Sequence, residues 1–113
     1  MHLEVTFKNL RPREEIRERA EALYAKLERF LEPAAQGTLL VAVEHAKAVL
    51  ELVVTTHGET HTVIEEEGGL RAALDKVFHT MDLRLRRAKE RRADHHRTEA
   101  FAEDGFAPEP QVK

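Results

Sequence analysis

Seven cations, Arg84, Arg86, Arg87, Lys89, Arg91, Arg92 and Arg97, fall within fourteen residues. Six of the seven are Arg, whose planar guanidinium forks onto two phosphate oxygens where Lys offers only a point charge. The chemistry such a run can do is to neutralise a polyanion. Covalent chemistry has little to draw on. Ser and Cys are both absent, which removes two nucleophiles, all disulfides and all thiolate metal sites. Glu65-Glu66-Glu67 could supply paired carboxylates. It precedes an expected helix start, however, where acids stabilise the positive end of the dipole. Gly68-Gly69 is too short to cradle a phosphate, and no P-loop or dinucleotide fingerprint occurs. His57 and His61 flank a turn, and His95-His96 are adjacent, but neither pair has a third ligand at helix or hairpin spacing. They read as exposed polar residues. No enzyme, metal or cofactor is expected.

The charge is polarised along the chain. The formal net charge is −3 over 113 residues, yet residues 76–97 carry eight cations against three anions, while residues 35–75 carry two against seven. A basic element inside an acidic protein points to a polyanionic partner. No apolar run approaches the roughly 20 residues a membrane span needs. The N-terminus has no cationic region followed by an apolar one, so no signal peptide is expected. A cytoplasmic protein fits both observations and the absence of Cys.

The elements that must position the cations follow from periodicity. Leu3, Val5 and Phe7 alternate with Glu4 and Thr6, as in a half-buried strand. Pro12 suits the first turn of a helix. Ile16, Ala20, Leu23, Tyr24, Leu27, Phe30 and Leu31 then trace one helical face over about five turns, which Pro33 and Gly37 end. Three antiparallel strands are expected next. Leu39, Val41 and Val43 share a face of the first. Ala48, Leu50, Leu52 and Val54 share a face of the second. His57-Gly58-Glu59 is a tight turn into a third strand over residues 60–65, whereas residues 44–47 make a poorer turn. A second helix starts near Leu70, with Leu74, Val77, Phe78, Met81, Leu85 and Ala88 on its apolar face. The stripe fades after Ala88 and the helix-forming composition continues to about Arg97, so the helix should project beyond the core.

The order β-α-β-β-β-α gives an α+β two-layer sandwich, a four-stranded sheet with two helices on one face. Glu4, Thr6, Glu51, Thr60 and Thr62 would meet solvent on the other. Leu23, Leu27, Leu74, Val77, Met81 and Leu85 are the expected core. Residues 1–97 form one domain, and residues 98–113, with Gly105, Pro108 and Pro110, read as a flexible acidic tail.

At about 100° per residue, Lys76, Arg84, Arg87 and Arg91 form a stripe beside the apolar face. Arg86, Arg92 and Arg97 fall on the side opposite the core. The alternative is a solvated face, with Asp82, Glu90 and Asp94 as neighbours along the helix. In the first helix, Arg13, Arg17 and Arg19 sit among six acids and read as a salt-bridged surface. Lys26 and Arg29, nearer the following loop, are better placed for contact. The RNA-binding candidates are therefore Lys26, Lys76, Arg84, Arg86, Arg87, Lys89, Arg91 and Arg92.

The chain resembles the ribosome hibernation promoting factor and ribosome-associated inhibitor family, the sigma-54 modulation proteins, in their short form. The resemblance spans about residues 1–95. It is carried by the opening strand, by Ala25-Lys26-Leu27-Glu28-Arg29-Phe30, by Ala72-Ala73-Leu74-Asp75-Lys76-Val77, and by Leu83-Arg84-Leu85-Arg86-Arg87-Ala88-Lys89-Glu90-Arg91. Arg71 stands where the family often has Tyr, and Arg84 where it often has Gln. The resemblance implies a fold like that of double-stranded RNA-binding domains. It also implies a stress-response regulator of translation that binds ribosomal RNA in the mRNA and tRNA channel of the small subunit. Lys26, Arg84, Arg87, Lys89 and Arg91 are the RNA-facing positions it carries over. The expected protein is a monomer off the ribosome, with no membrane partner and no small-molecule substrate. A general double-stranded RNA-binding module and a small protein-interaction module are the alternatives.

Overall fold

The computed structural model describes the backbone of residues 1–103 and the side chains of residues 1–94. The chain runs β1 (His2–Lys8), α1 (Glu14–Ala25), a 3-10 turn (Glu28–Phe30), β2 (Gln36–Glu44), β3 (Lys47–Thr56), β4 (Glu59–Glu67) and α2 (Leu70–Glu103). The sheet order is β1-β2-β3-β4. Strands β2, β3 and β4 pair antiparallel, as their short connections dictate. Strand β1 lies parallel to β2, which is possible because α1 spans the crossover between them.

Register places Val5, Leu39, Leu52 and Val63 in one row across all four strands. That row belongs to a single core shared with Ile16, Ala20 and Tyr24 of α1 and with Ala73, Leu74, Val77, Phe78, Met81 and Leu85 of α2. The fold is the expected α+β sandwich. Each large apolar side chain buried here contributes roughly 1.5–3 kcal/mol of transfer free energy. The opposite sheet face exposes Glu4, Thr6, Thr60 and Thr62, with Glu51 half-buried.

Several boundaries differ from the periodic reading. Helix α1 begins at Glu14, after Pro12, and ends at Ala25. Lys26 and Leu27 donate backbone bonds to Leu23 and Tyr24, three residues back, and Phe30 donates to Leu27 at 2.8 Å. Winding at three residues per turn aligns positions i and i+3, so Leu27 and Phe30 both enter the core. Leu23 is only half-buried, because it lines the groove between α1 and α2. Gly37 does not end a helix. It lies within β2, where a Cβ would stand 2.8 Å from the Tyr24 ring.

Both hairpins turn through two residues with positive φ, the geometry a twisted two-residue hairpin favours. At His57-Gly58 the glycine meets this demand, while at the other turn His45 (53°) and Ala46 (64°) must adopt it. Residues 44–47 looked a poor turn because neither is the usual Gly or Asn. The second hairpin is anchored, since the His57 N–H donates to Glu32 Oε2 at 2.8 Å and the Glu32 N–H donates to Thr56 Oγ1 at 3.1 Å. Strand β4 extends through Glu67, so Glu65-Glu66-Glu67 is strand and not a helix prelude. Helix α2 continues past Arg97 to Glu103. Residues 98–103, expected to begin the flexible tail, are therefore helix, and the rest of the expected tail, 104–113, lies outside the described residues. No described helix is long and apolar enough to cross a membrane.

Candidate nucleic-acid interface

Helix α2 is held by one row of buried residues: Ala73, Leu74, Val77, Phe78, Met81, Leu85 and Ala88. No described side chain is buried after Ala88, and the helix runs on for about four more turns, roughly 22 Å. A well-packed base therefore carries the helix past its last buried residue, and the excess of cations sits at the root of that extension, over residues 84–92.

Packing sorts the candidate cations into four environments. The first is the start of the helix. Lys76 Nζ lies 2.8 Å from Glu67 Oε2 and 3.5 Å from Glu65 Oε1. Its hydrogen bond to Glu67, reinforced by the charges of Glu67 and Glu65, holds the ammonium above its usual pKa. Alternation explains the partners: Glu59, His61, Val63, Glu65 and Glu67 share the helix-facing side of β4.

The second environment lies on the β4 side of α2, farther along. Arg84, Arg87 and Arg91 line a hollow of about 500 Å³ with Glu59, Thr60 and His61. Arg91 stands 3.8 Å from Glu59. Among the described residues, no carboxylate lies within ion-pair distance of Arg84 or Arg87.

The third lies on the other flank, against the 3-10 turn. Arg29, Arg86 and Lys89 place their cations 4.9, 5.6 and 5.9 Å from the centroid of the Phe30 ring. The ring is itself buried, and the three cations gather around it. Arg86 also faces Asp82 at 3.6 Å. The fourth is the groove between the helices. Here Lys26 lies with Arg19, Leu23, Asp75 and His79, and Arg19 forks onto Asp75 at 2.9 and 3.1 Å.

Two placements correct the helical-wheel reading. Arg92 is half-buried, not opposite the core, because it lies seven residues after Leu85 and so prolongs the buried row. Arg86 occupies the Phe30 flank. The Arg97 side chain lies outside the described residues.

The periodic reading also missed His61. Taken with His57 as an exposed pair, it is in fact 5% exposed, while His57 is fully on the surface. Burial pushes the His61 imidazole below its ordinary pKa of 6.5, Glu59 draws it back up, and Arg84 and Arg91 press it down. The signal was available in the alternation, since His61 shares parity with Val63.

The arrangement can grip an extended polyanion. It presents forked donors on both flanks of a helix, of which the β4 flank keeps two arginines without carboxylate partners among the described residues. Residues 3–93 match the family model described as sigma 54 modulation protein / S30EA ribosomal protein. The structure is similar to the crystal structure of the Thermus thermophilus Protein Y N-terminal domain, at 25% identity and a TM-score of 0.69, over 74% of this chain and 93% of that one. It is also similar to a ribosomal subunit interface protein from Coxiella burnetii, at 19% identity and a TM-score of 0.68, over 80% of this chain and 99% of that one. The second likeness, at that identity, bears on fold alone. No curated protein matches the sequence significantly.

Proposed function

The chain belongs to the sigma 54 modulation protein / S30EA ribosomal protein family, and from that premise we propose that it is a ribosome hibernation factor. It binds the small ribosomal subunit in the channel of mRNA and tRNA, and blocks translation reversibly while bound. The observation that carries this reading is the cluster of Arg84, Arg87 and Arg91 on the β4 flank, three cations against the single carboxylate of Glu59 among the described residues lining that hollow, at the root of a helix that runs on past the core. Counterions released from phosphates by Arg84, Arg87 and Arg91 drive association. The body of the domain then occludes the space beside the contacted RNA. No bond is made or broken, and the site of action is cytoplasmic.

Sedimentation of the protein with isolated small subunits tests this. It should co-sediment stoichiometrically, be released by salt, and inhibit translation in a purified system. If about five cations contact phosphate, log K falls against log salt with a slope of about −4.5. Equal affinity for free duplex RNA would replace the reading with a general RNA-binding module. Failure to sediment with ribosomes, together with RNase-resistant capture by an acidic protein, would replace it with a protein-interaction module.

A further inference from the structure

The hollow between β4 and α2 has a feature that a merely solvated cationic surface lacks: a buried, unsatisfied floor. His61 is 5% exposed, and its Nε2 has no aligned hydrogen-bond partner. Glu59 Oε1 lies 3.2 Å away, and it too is buried without an aligned partner. Above this floor stand Arg84, Arg87 and Arg91. With a neutral imidazole the hollow holds three positive charges against the single carboxylate of Glu59.

We propose that this hollow is a phosphate-binding site, in which Arg84, Arg87 and Arg91 take the oxygens of one phosphate group and a protonated His61 donates to it from beneath. A phosphate fits better than a second carboxylate. Its oxygens point in several directions and can meet donors on the walls and the floor together, and about 500 Å³ leaves it room. Glu59 is the internal counter-charge, facing both His61 and Arg91, and it competes with the incoming anion.

Binding is coupled to a proton. The charged groups facing His61 are Glu59 on its own strand and Arg84, Arg87 and Arg91 on α2; across the sheet it is paired with Val54, which carries none. Without phosphate, burial and the arginines keep the imidazole neutral. A phosphate adds negative charge above it and favours the imidazolium, so a proton enters with the anion and affinity rises as pH falls. The group could be a backbone phosphate of RNA or a free phosphate, and only the first assignment rests on the ribosome reading.

The test has two arms. In the first, inorganic phosphate is titrated into the full chain at constant ionic strength, with the ring signals of His61 followed by NMR. The expected result is a saturable shift, a rise in the His61 titration midpoint with phosphate, and a loss of at least about tenfold in phosphate affinity in Arg87→Ala. Glu59→Gln should bind phosphate more tightly. A flat response, or one unchanged in the exposed-site variant Arg87→Ala, overturns the proposal. In the second arm, small-subunit binding is compared at pH 6 and pH 8 for the parent protein and His61→Gln. Tighter binding at pH 6 in the parent, about fivefold or more, that is lost in His61→Gln assigns the site to an RNA phosphate. Phosphate binding without ribosome binding supports the site and sinks the ribosome reading. Normal ribosome binding with no phosphate response sinks the site and leaves the ribosome reading standing.

Discussion

Lys76 and Arg87 stand about three turns apart on the same stripe of α2, and their surroundings are opposite. Lys76 faces the end of β4, where Glu65 and Glu67 neutralise it. Arg87 faces the start of β4, where the single carboxylate, Glu59, is engaged by Arg91 and His61. Two cations that look alike in sequence thus differ in what they can offer a partner. The first half of the helix spends its charge on the protein and the second half presents it. Counting basic residues in a helix therefore says less about binding than the register of the strand packed beneath it.

The largest effect should come from breaking the presenting half. Replacing Arg84, Arg87 and Arg91 together with Ala should weaken small-subunit binding by at least about a thousandfold, at roughly 1.5 kcal/mol or more per lost charge-assisted contact. The log–log salt slope should become shallower by about 2.7. Lys76→Ala should change affinity by less than about twofold, because removing an already neutralised ammonium takes little from the RNA. Equal losses in the two variants, measured by sedimentation, would erase the distinction.

Stability should divide the other way. Leu74 is fully buried beside Lys76, and Leu74→Ala should cost about 2–5 kcal/mol in urea denaturation. Arg87→Ala removes an exposed side chain with no ion pair among the described residues and should leave the stability within about 0.5 kcal/mol of the parent. A large loss of stability in Arg87→Ala would mean that the second half, too, is built into the fold.

The smallest effect concerns His61. In the unfolded chain it takes up a proton near pH 6.5, but in the folded protein only at lower pH. Below pH 6.5 the unfolded state therefore binds more protons, and stability falls as pH drops through that window. Above it this contribution to pH dependence vanishes. Denaturation at pH 7.5 and 5.5 should show a drop in the parent that is smaller in His61→Gln, and added phosphate should reduce the parent's drop. A parent and variant with identical pH profiles would show that burial does not perturb this imidazole.

Most of the fold was legible in order and phase, because alternation and 3.6-residue periodicity follow directly from which face of each element is buried. Val5, Leu39 and Leu52 were on the right faces, and so were Leu74, Val77, Met81 and Leu85. What failed depended on contacts between elements. Gly37 resembles a helix stop until the Tyr24 ring is seen packed against it. Phe30 is buried as its place in the apolar stripe predicts, but through a 3-10 turn and not through the five-turn helix expected, since the chain tightens after Ala25. The concentration of cations in α2 is a property of the sequence alone, and it sufficed to single out the helix. Which of them stay available was decided by tertiary structure. Electrostatic pairing falls off within a few ångströms, so the fate of Lys76, Arg86, Arg87 and Arg91 rests on which carboxylate or ring β4 and the 3-10 turn bring opposite each one, and no spacing along a single helix encodes that.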